Sequence, residues 1–219
     1  MGLMLSDYSP EGSLRNRLRR ERFALFLELV ESLPKPVKIL DVGGTVNYWK
    51  VMGIQERIDL EVTLLNIVAE PVDVPGMRSI AGDARNLSQF GDGSFDVVFS
   101  NSVIEHVGDE HDQLRMANEI RRVGKNYFLQ TPNYYFPIEP HFQCPLFHYL
   151  PEWFRVRLVK TFSLATYPRA KDTVQALAWV REIRLLTPNQ VKAFFPDANV
   201  VREKYFGLTK SLMAISRAK

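Results

Sequence analysis

The run Lys38-Ile-Leu-Asp-Val-Gly-Gly-Thr45 places an acid and two glycines at the end of an apolar stretch. That order suits ligand binding. Glycines let a ligand lie against bare backbone, and the carboxyl end of a strand is where open α/β sheets hold their ligands. Asp41, Gly43 and Gly44 are the first candidates, although the spacing departs from the dinucleotide fingerprint G-x-G-x-x-G. A second group of reactive side chains comes later in the chain. It comprises Glu105 and His106, then Glu139-Pro-His141, then His148. Histidine titrates near neutral pH and is the natural proton acceptor, with Glu139 placed to orient His141. The plainer alternative is that Glu139 and His141, each beside a proline, brace the chain, and that His106 is a packed, satisfied histidine.

The elements that position these residues follow from periodicity and punctuation. Leucines and Phe26 recur at helical spacing from Pro10 to Leu33, which Pro34 and Pro36 end. Five arginines between Arg15 and Arg22 lie in that helix, as a solvated face or as a contact to an anion. Val37–Val42 reads as a buried strand, and a helix over Tyr48–Ile58 follows, weakened by Gly53. Further strands are expected over Glu61–Ile67, Arg78–Gly82, Phe95–Ser100 and Asn126–Thr131, with a helix over Glu110–Arg122. Strands spaced by helical patterns predict a largely parallel sheet covered on both faces. Thr187-Pro-Asn-Gln190 has the form of a helix start. Asn199–Phe206 and Ser211–Ser216 are close enough to form only an antiparallel hairpin.

Between them, Tyr134 to about Leu186 breaks the rhythm. It carries 11 of the 25 aromatic residues and two of the four histidines. A stretch this long needs structure of its own and is predicted to be an inserted helical lid over 134–186. Pro151–Lys160 within it is mildly amphipathic and basic, which suits either a membrane edge or packing inside the insert.

With 219 residues, 46% hydrophobic and 24% charged, the chain fits one soluble domain with an elaboration. A net charge of +3 is too small to argue for nucleic acid. The single cysteine, Cys144, excludes an internal disulfide and any multi-cysteine metal centre. No metal is expected. No apolar run has the length of a membrane span, and no basic segment followed by an apolar one precedes Pro10, so a cytoplasmic protein without membrane insertion is expected.

Taken in order, Ile39-Leu-Asp-Val-Gly-Gly44, Gly82-Asp-Ala84, Phe95-Asp-Val-Val-Phe-Ser-Asn-Ser-Val-Ile-Glu-His-Val107, Asn118-Glu-Ile-Arg-Arg-Val123 and the closing hairpin resemble the class I S-adenosylmethionine-dependent methyltransferases. Thr131-Pro-Asn133 and Phe136-Pro-Ile-Glu-Pro-His141 are similar to a bacterial subgroup. The resemblance implies a Rossmann-like three-layer sandwich with a mostly parallel seven-stranded sheet. It implies S-adenosylmethionine held by Asp41, Gly43 and Gly44 at its methionine end and by Asn66 at the ribose. Asp83 and the Ala84 amide would hold the adenine, with Asn101 near the reacting methyl group. Asn66 stands where the family has Asp or Glu, so the bidentate carboxylate contact is lost. The usual third glycine is missing and Thr45-Val-Asn-Tyr-Trp49 follows instead, bringing the rings of Tyr48 and Trp49. Either they flank the sulfonium through cation–π attraction or they pack beneath the first helix.

These readings place an N-terminal helix over 1–36 on a methyltransferase-like domain over 37–219. The expected reaction is methyl transfer to a small apolar or ring-bearing acceptor, oxygen favoured, with His141 as the base. Two alternatives stand beside it: a non-catalytic scaffold that keeps the fold, and another nucleotide-dependent α/β enzyme.

Overall fold

The computed structural model describes residues 14–54 and 57–216. The first element is helix α1 (Leu14–Glu31), and the start expected at Pro10 lies outside the described residues. Strand β1 (Val37–Val42) is buried at five of six positions, as a central strand must be. Helix α2 is shorter than expected, Val46–Val51, because Gly53 adopts a left-handed φ of 76° that ends it. Then come β2 (Leu60–Asn66), β3 (Met77–Ala81) and β4 (Phe95–Asn101). Helix α3 (Glu110–Val123), capped by the Asp109 side chain, leads into β5 (Gly124–Pro132). No helix lies between β2 and β3 or between β3 and β4. Residues 67–76 and 82–94 hold prolines and glycines that break a helical period.

The insert follows β5. It contains the short pair β6 (Ile138–Glu139) and β7 (Cys144–Pro145), then α4 (Glu152–Thr161) and α5 (Thr173–Glu182). Its two ends meet, with the Tyr134 amide donating to the Leu186 carbonyl at 2.9 Å. The chain closes with α6 (Pro188–Phe194), β8 (Ala198–Tyr205) and β9 (Leu208–Ser216). Thr187 and Gln190 form a complete capping box at the start of α6.

The seven-stranded sheet has the order β3-β2-β1-β4-β5-β9-β8. Its first five strands are parallel, and β9 pairs antiparallel with both β5 and β8. The order reverses between β1 and β4, so the loops leaving these two strands diverge and open a crevice at their carboxyl ends.

One face of the sheet is covered by α1. Phe23, Phe26 and Val30 are buried against Ile39, Trp49, Phe99 and Phe128. Phe99 and Phe128 stack at 5.6 Å, with Phe26 4.6 Å from Phe99. Each such ring contributes about 1.5–3 kcal/mol by leaving water. The other face is covered by α3 and α6, through Met116, Ile120, Val191 and Phe195. The insert has a core of its own, in which Phe142 lies 4.4 Å from Phe147 and 4.6 Å from Tyr167. Val156 and Val159 of α4 belong to that core. Among the described residues, no helix is long and apolar enough to cross a membrane.

Candidate functional site

The loop after β1 is fixed by two hydrogen bonds to β2. The Gly43 amide donates to the Leu65 carbonyl of β2 at 2.8 Å, and the Asn66 side-chain amide donates to the Gly44 carbonyl at 2.8 Å. The Gly82 amide in turn donates to the Asn66 carbonyl at 2.8 Å, so the tips of β1, β2 and β3 form one connected rim. The two glycines have an internal reason as well as the expected one. Gly43 has φ +78°, and a Cβ there would overlap the Val103 side chain. A Cβ on Gly44 would fall inside the Asp41 carboxylate.

Asp41 is buried and accepts a hydrogen bond from the Trp49 indole at 2.6 Å. Burial disfavours its charge, and the carboxyl pKa is pushed up from 3.8 to about 7 despite the indole donor. Trp49 itself is wholly buried among Phe23, Phe26 and Phe99. Of the two readings of Tyr48 and Trp49, packing beneath the first helix is the one observed. That Trp49 also holds Asp41 had no sequence signal.

At the rim, Asn66 is half-buried, with its donor committed to Gly44. The next residues, Ile67 and Val68, are each 73% exposed and offer apolar surface beside it. Asp83 forms a tight turn in which its carboxylate accepts from both the backbone amide and the guanidinium of Arg85. The hydrogen bond from Arg85 holds that carboxyl below its ordinary value. Ala84 is buried beside it. Asn101 ends β4, half-buried and in register with Gln130 of β5.

His141 is brought to the same end of the sheet by the insert. It is buried, its Nδ1 lies 2.7 Å from Glu139 Oε1, and its Nε2 lies 3.1 Å from His106 Nε2. Glu139 is fixed in turn by the Phe142 amide at 2.6 Å. Glu105, on the same short turn as His106, is fully buried, and its Oε2 accepts from the Thr131 hydroxyl at 3.0 Å. Burial opposes charge on His141, but the hydrogen bond it donates to Glu139 and the charges of Glu139 and Glu105 outweigh it and raise its pKa. Burial and the neighbouring His141 push His106 down to about 3, so His106 is neutral. His148 is used elsewhere, donating through Nε2 to the Tyr134 carbonyl at 2.7 Å. Thus Asp41, Gly43, Gly44 and Asn66 gather on one side of the crevice, and His106 and His141 on the other. Asp83 and Ala84 stand at the β3 edge.

Residues 40–127 match the family profile described as a methyltransferase domain. Over these residues the chain is similar to methyltransferase domains, and its sheet has the fold of the class I S-adenosylmethionine-dependent methyltransferases. S-adenosylmethionine is the cofactor of this class, and the rim offers it the Asn66 carbonyl oxygen and the exposed apolar surface of Ile67 and Val68. An uncharacterized protein of Mycobacterium tuberculosis, found in two strains, is 42% identical over 126 residues. That match covers 52% of this chain and 42% of the relative, so the chain spans less than half the length of the curated relatives it matches. Among solved structures, the N-terminal domain of EvdMO1, determined in the presence of SAH and D-fucose, has a TM-score of 0.55 at 14% identity, covering 92% of this chain and 83% of that one. An S-adenosylmethionine-dependent methyltransferase from Aquifex aeolicus has a TM-score of 0.50 at 13% identity, covering 91% of each chain. At these identities the structural likeness concerns the methyltransferase fold, the expected mostly parallel seven-stranded sheet ending in an antiparallel hairpin.

Proposed function

We propose that the domain transfers a methyl group from S-adenosylmethionine to a small acceptor, with oxygen as the atom methylated. The observation that carries this reading is the joined rim of β1, β2 and β3, facing a histidine pair across the switch point of the sheet. The glycine loop with Asp41 would receive the methionine end. The Asn66 carbonyl oxygen stays available as an acceptor for a ribose hydroxyl, since its amide is the atom turned to Gly44. Ile67 and Val68 would lie against the purine, with Asp83 and the Ala84 amide at its edge. Asn101 stands nearest the sulfonium methyl by its place at the end of β4.

Methyl transfer from a sulfonium needs alignment above all, which can supply ~7–11 kcal/mol of the barrier. A hydroxyl acceptor must also lose a proton. With Nδ1–H of His141 donated to Glu139, its Nε2 is bare and accepts the Nε2–H of His106. His106 Nδ1 is then a bare acceptor. A proton taken there, with the Nε2 proton passed on to His141, leaves an imidazolium between Glu139 and His106. His141 is the terminal base and Glu139 its positioning residue.

The exposed rings Tyr135 and Tyr149 supply aromatic surface for an apolar or ring-bearing acceptor, whereas Phe142, Phe147 and Tyr167 are spent on the insert's core. Domain limits of 1–36 for the helix and 37–219 for the catalytic unit, with a lid over 134–186, belong to this proposal, as does a cytoplasmic location. The test is turnover of S-adenosylmethionine with a panel of small phenols and hydroxyl compounds. Demethylated cofactor formed only when acceptor is present supports the reading. Cofactor bound with no turnover of any acceptor favours the scaffold alternative.

A further inference from the structure

The cluster beneath the insert has more polarity than a proton relay needs. The nitrogens His106 Nε2 and His141 Nε2 and a carboxylate oxygen of Glu105 all lie within 4.8 Å of one another. The two nitrogens are 3.1 Å apart, and Glu105 Oε1 is 4.0 Å from His141 Nε2. Two imidazole nitrogens bound to one tetrahedral zinc stand roughly 3.4 Å apart, so the rings already sit near coordinating separation.

Three observations point to a ligand rather than a closed hydrogen-bond network. Glu105 is fully buried, yet its Oε1 has no hydrogen-bond partner, and it is aimed at the imidazole pair. A buried acceptor left bare is costly, by about 1–3 kcal/mol and more when charged. Next, Glu139 holds His141 by the nitrogen remote from the cluster, the carboxylate–histidine arrangement that orients metal-bound imidazoles. Thr131 likewise holds the outer oxygen of Glu105 and leaves the inner one free. Last, two buried carboxylates, Glu105 and Glu139, flank the imidazole pair, which puts oxygen and nitrogen donors of the kind that hold divalent ions in one enclosed place.

We propose that Glu105, His106 and His141 bind one divalent transition-metal ion of the zinc type, with Glu139 and Thr131 supporting its ligands. Two imidazoles and a carboxylate leave a coordination position open. This departs from the expectation that the chain holds no metal. No local pattern joins Glu105 and His106 to His141, because 35 positions separate the two histidines. Ion binding stands on its own geometry; only its use rests on the methyl-transfer reading. In that use the open position takes the acceptor hydroxyl and lowers its pKa. The proton would then pass to bulk water rather than to His141, whose Nε2 lone pair would be on the ion.

The test is titration of the full-length protein, stripped with a chelator, with Co2+ alone, followed by its visible absorption and by competition with Zn2+. One equivalent bound with a low-coordinate spectrum is expected. Glu139→Gln should weaken binding about 10–100-fold, and Glu105→Gln and His106→Ala should weaken it at least as much. No stoichiometric site in the unaltered protein overturns the proposal whatever the variants do. So does one-equivalent binding retained in Glu105→Gln or His106→Ala that keeps the native circular dichroism. Cobalt bound without S-adenosylmethionine affinity defeats the methyl-transfer reading alone; the converse result defeats the metal alone.

Discussion

Asn66 donates its side-chain amide to the Gly44 carbonyl across 2.8 Å, so the tip of β2 holds the ligand loop of β1. A carboxylate at this position could not make that bond, because it has no proton to give. The asparagine that weakens the expected ribose contact therefore serves the loop itself. Asn66→Asp sets an oxygen against an oxygen and leaves the Gly44 carbonyl bare, at a cost of about 1–3 kcal/mol. Each kcal/mol lowers the melting temperature of a domain this size by about 2–4 °C. Thermal unfolding of the variant checks this, and a melting temperature at or above the original would refute it.

Gly43 is excluded from carrying a side chain by Val103 and by its φ of +78°. Gly43→Ala should destabilise the fold by about 2–4 kcal/mol, from overlap plus left-handed backbone strain. Val103→Ala removes the overlap but not the strain, so the double variant should recover part of the loss. Urea unfolding of both singles and the double measures the coupling. Strict additivity would show that the two residues do not meet.

Asp41 gives stability a pH dependence whose sign is fixed. Its folded pKa, about 7, lies above the ordinary 3.8, so folding favours the protonated form. The stabilisation is fully present below about pH 4 and is lost as pH rises through about 7. The full effect is roughly 4 kcal/mol. Asp41→Asn cannot ionise and should flatten the profile. Guanidinium unfolding at pH 5 and pH 8 tests this: the unaltered protein should lose more stability between the two than the variant does. Equal losses would place the titration elsewhere.

In the proposed reaction His141 would serve the acceptor side in either form of the chemistry, as terminal base or as ligand to the ion. His141→Gln should cut turnover about 10²–10⁴-fold while leaving the affinity for S-adenosylhomocysteine within twofold. Steady-state rates with an accepted substrate and calorimetry on the same preparation separate the two effects. Unchanged turnover removes His141 from the mechanism.

Strands β1, β2, β4 and β5 were legible in the sequence because they are central and buried on both faces, which leaves unbroken apolar runs. The hairpin of β8 and β9 was legible from the short link at Gly207. The helix after β1 was overextended because the apolar pattern continues through Gly53, where the backbone turns away. Strands β6 and β7 are two residues each, too short for any period to register. In the insert, aromatic density signalled structure but not which rings form a core and which remain exposed. The glycine loop announced itself locally. Its contacts to Asn66, Trp49 and Val103 did not, since they join distant positions by tertiary packing. The meeting of His106 and His141 depends on the insert folding back over the turn after β4. There the Arg184 amide donates to the Glu105 carbonyl at 2.8 Å, a return no local pattern encodes.

The most direct measurement is isothermal titration of the full-length protein with S-adenosylhomocysteine, alongside a nicotinamide dinucleotide as the contrasting ligand. One site for the sulfur nucleoside, weakened about tenfold or more by Asn66→Ala and by Asp41→Ala, and no heat from the dinucleotide, is the expected result. Saturable dinucleotide binding without S-adenosylhomocysteine binding would contradict the assignment of the crevice.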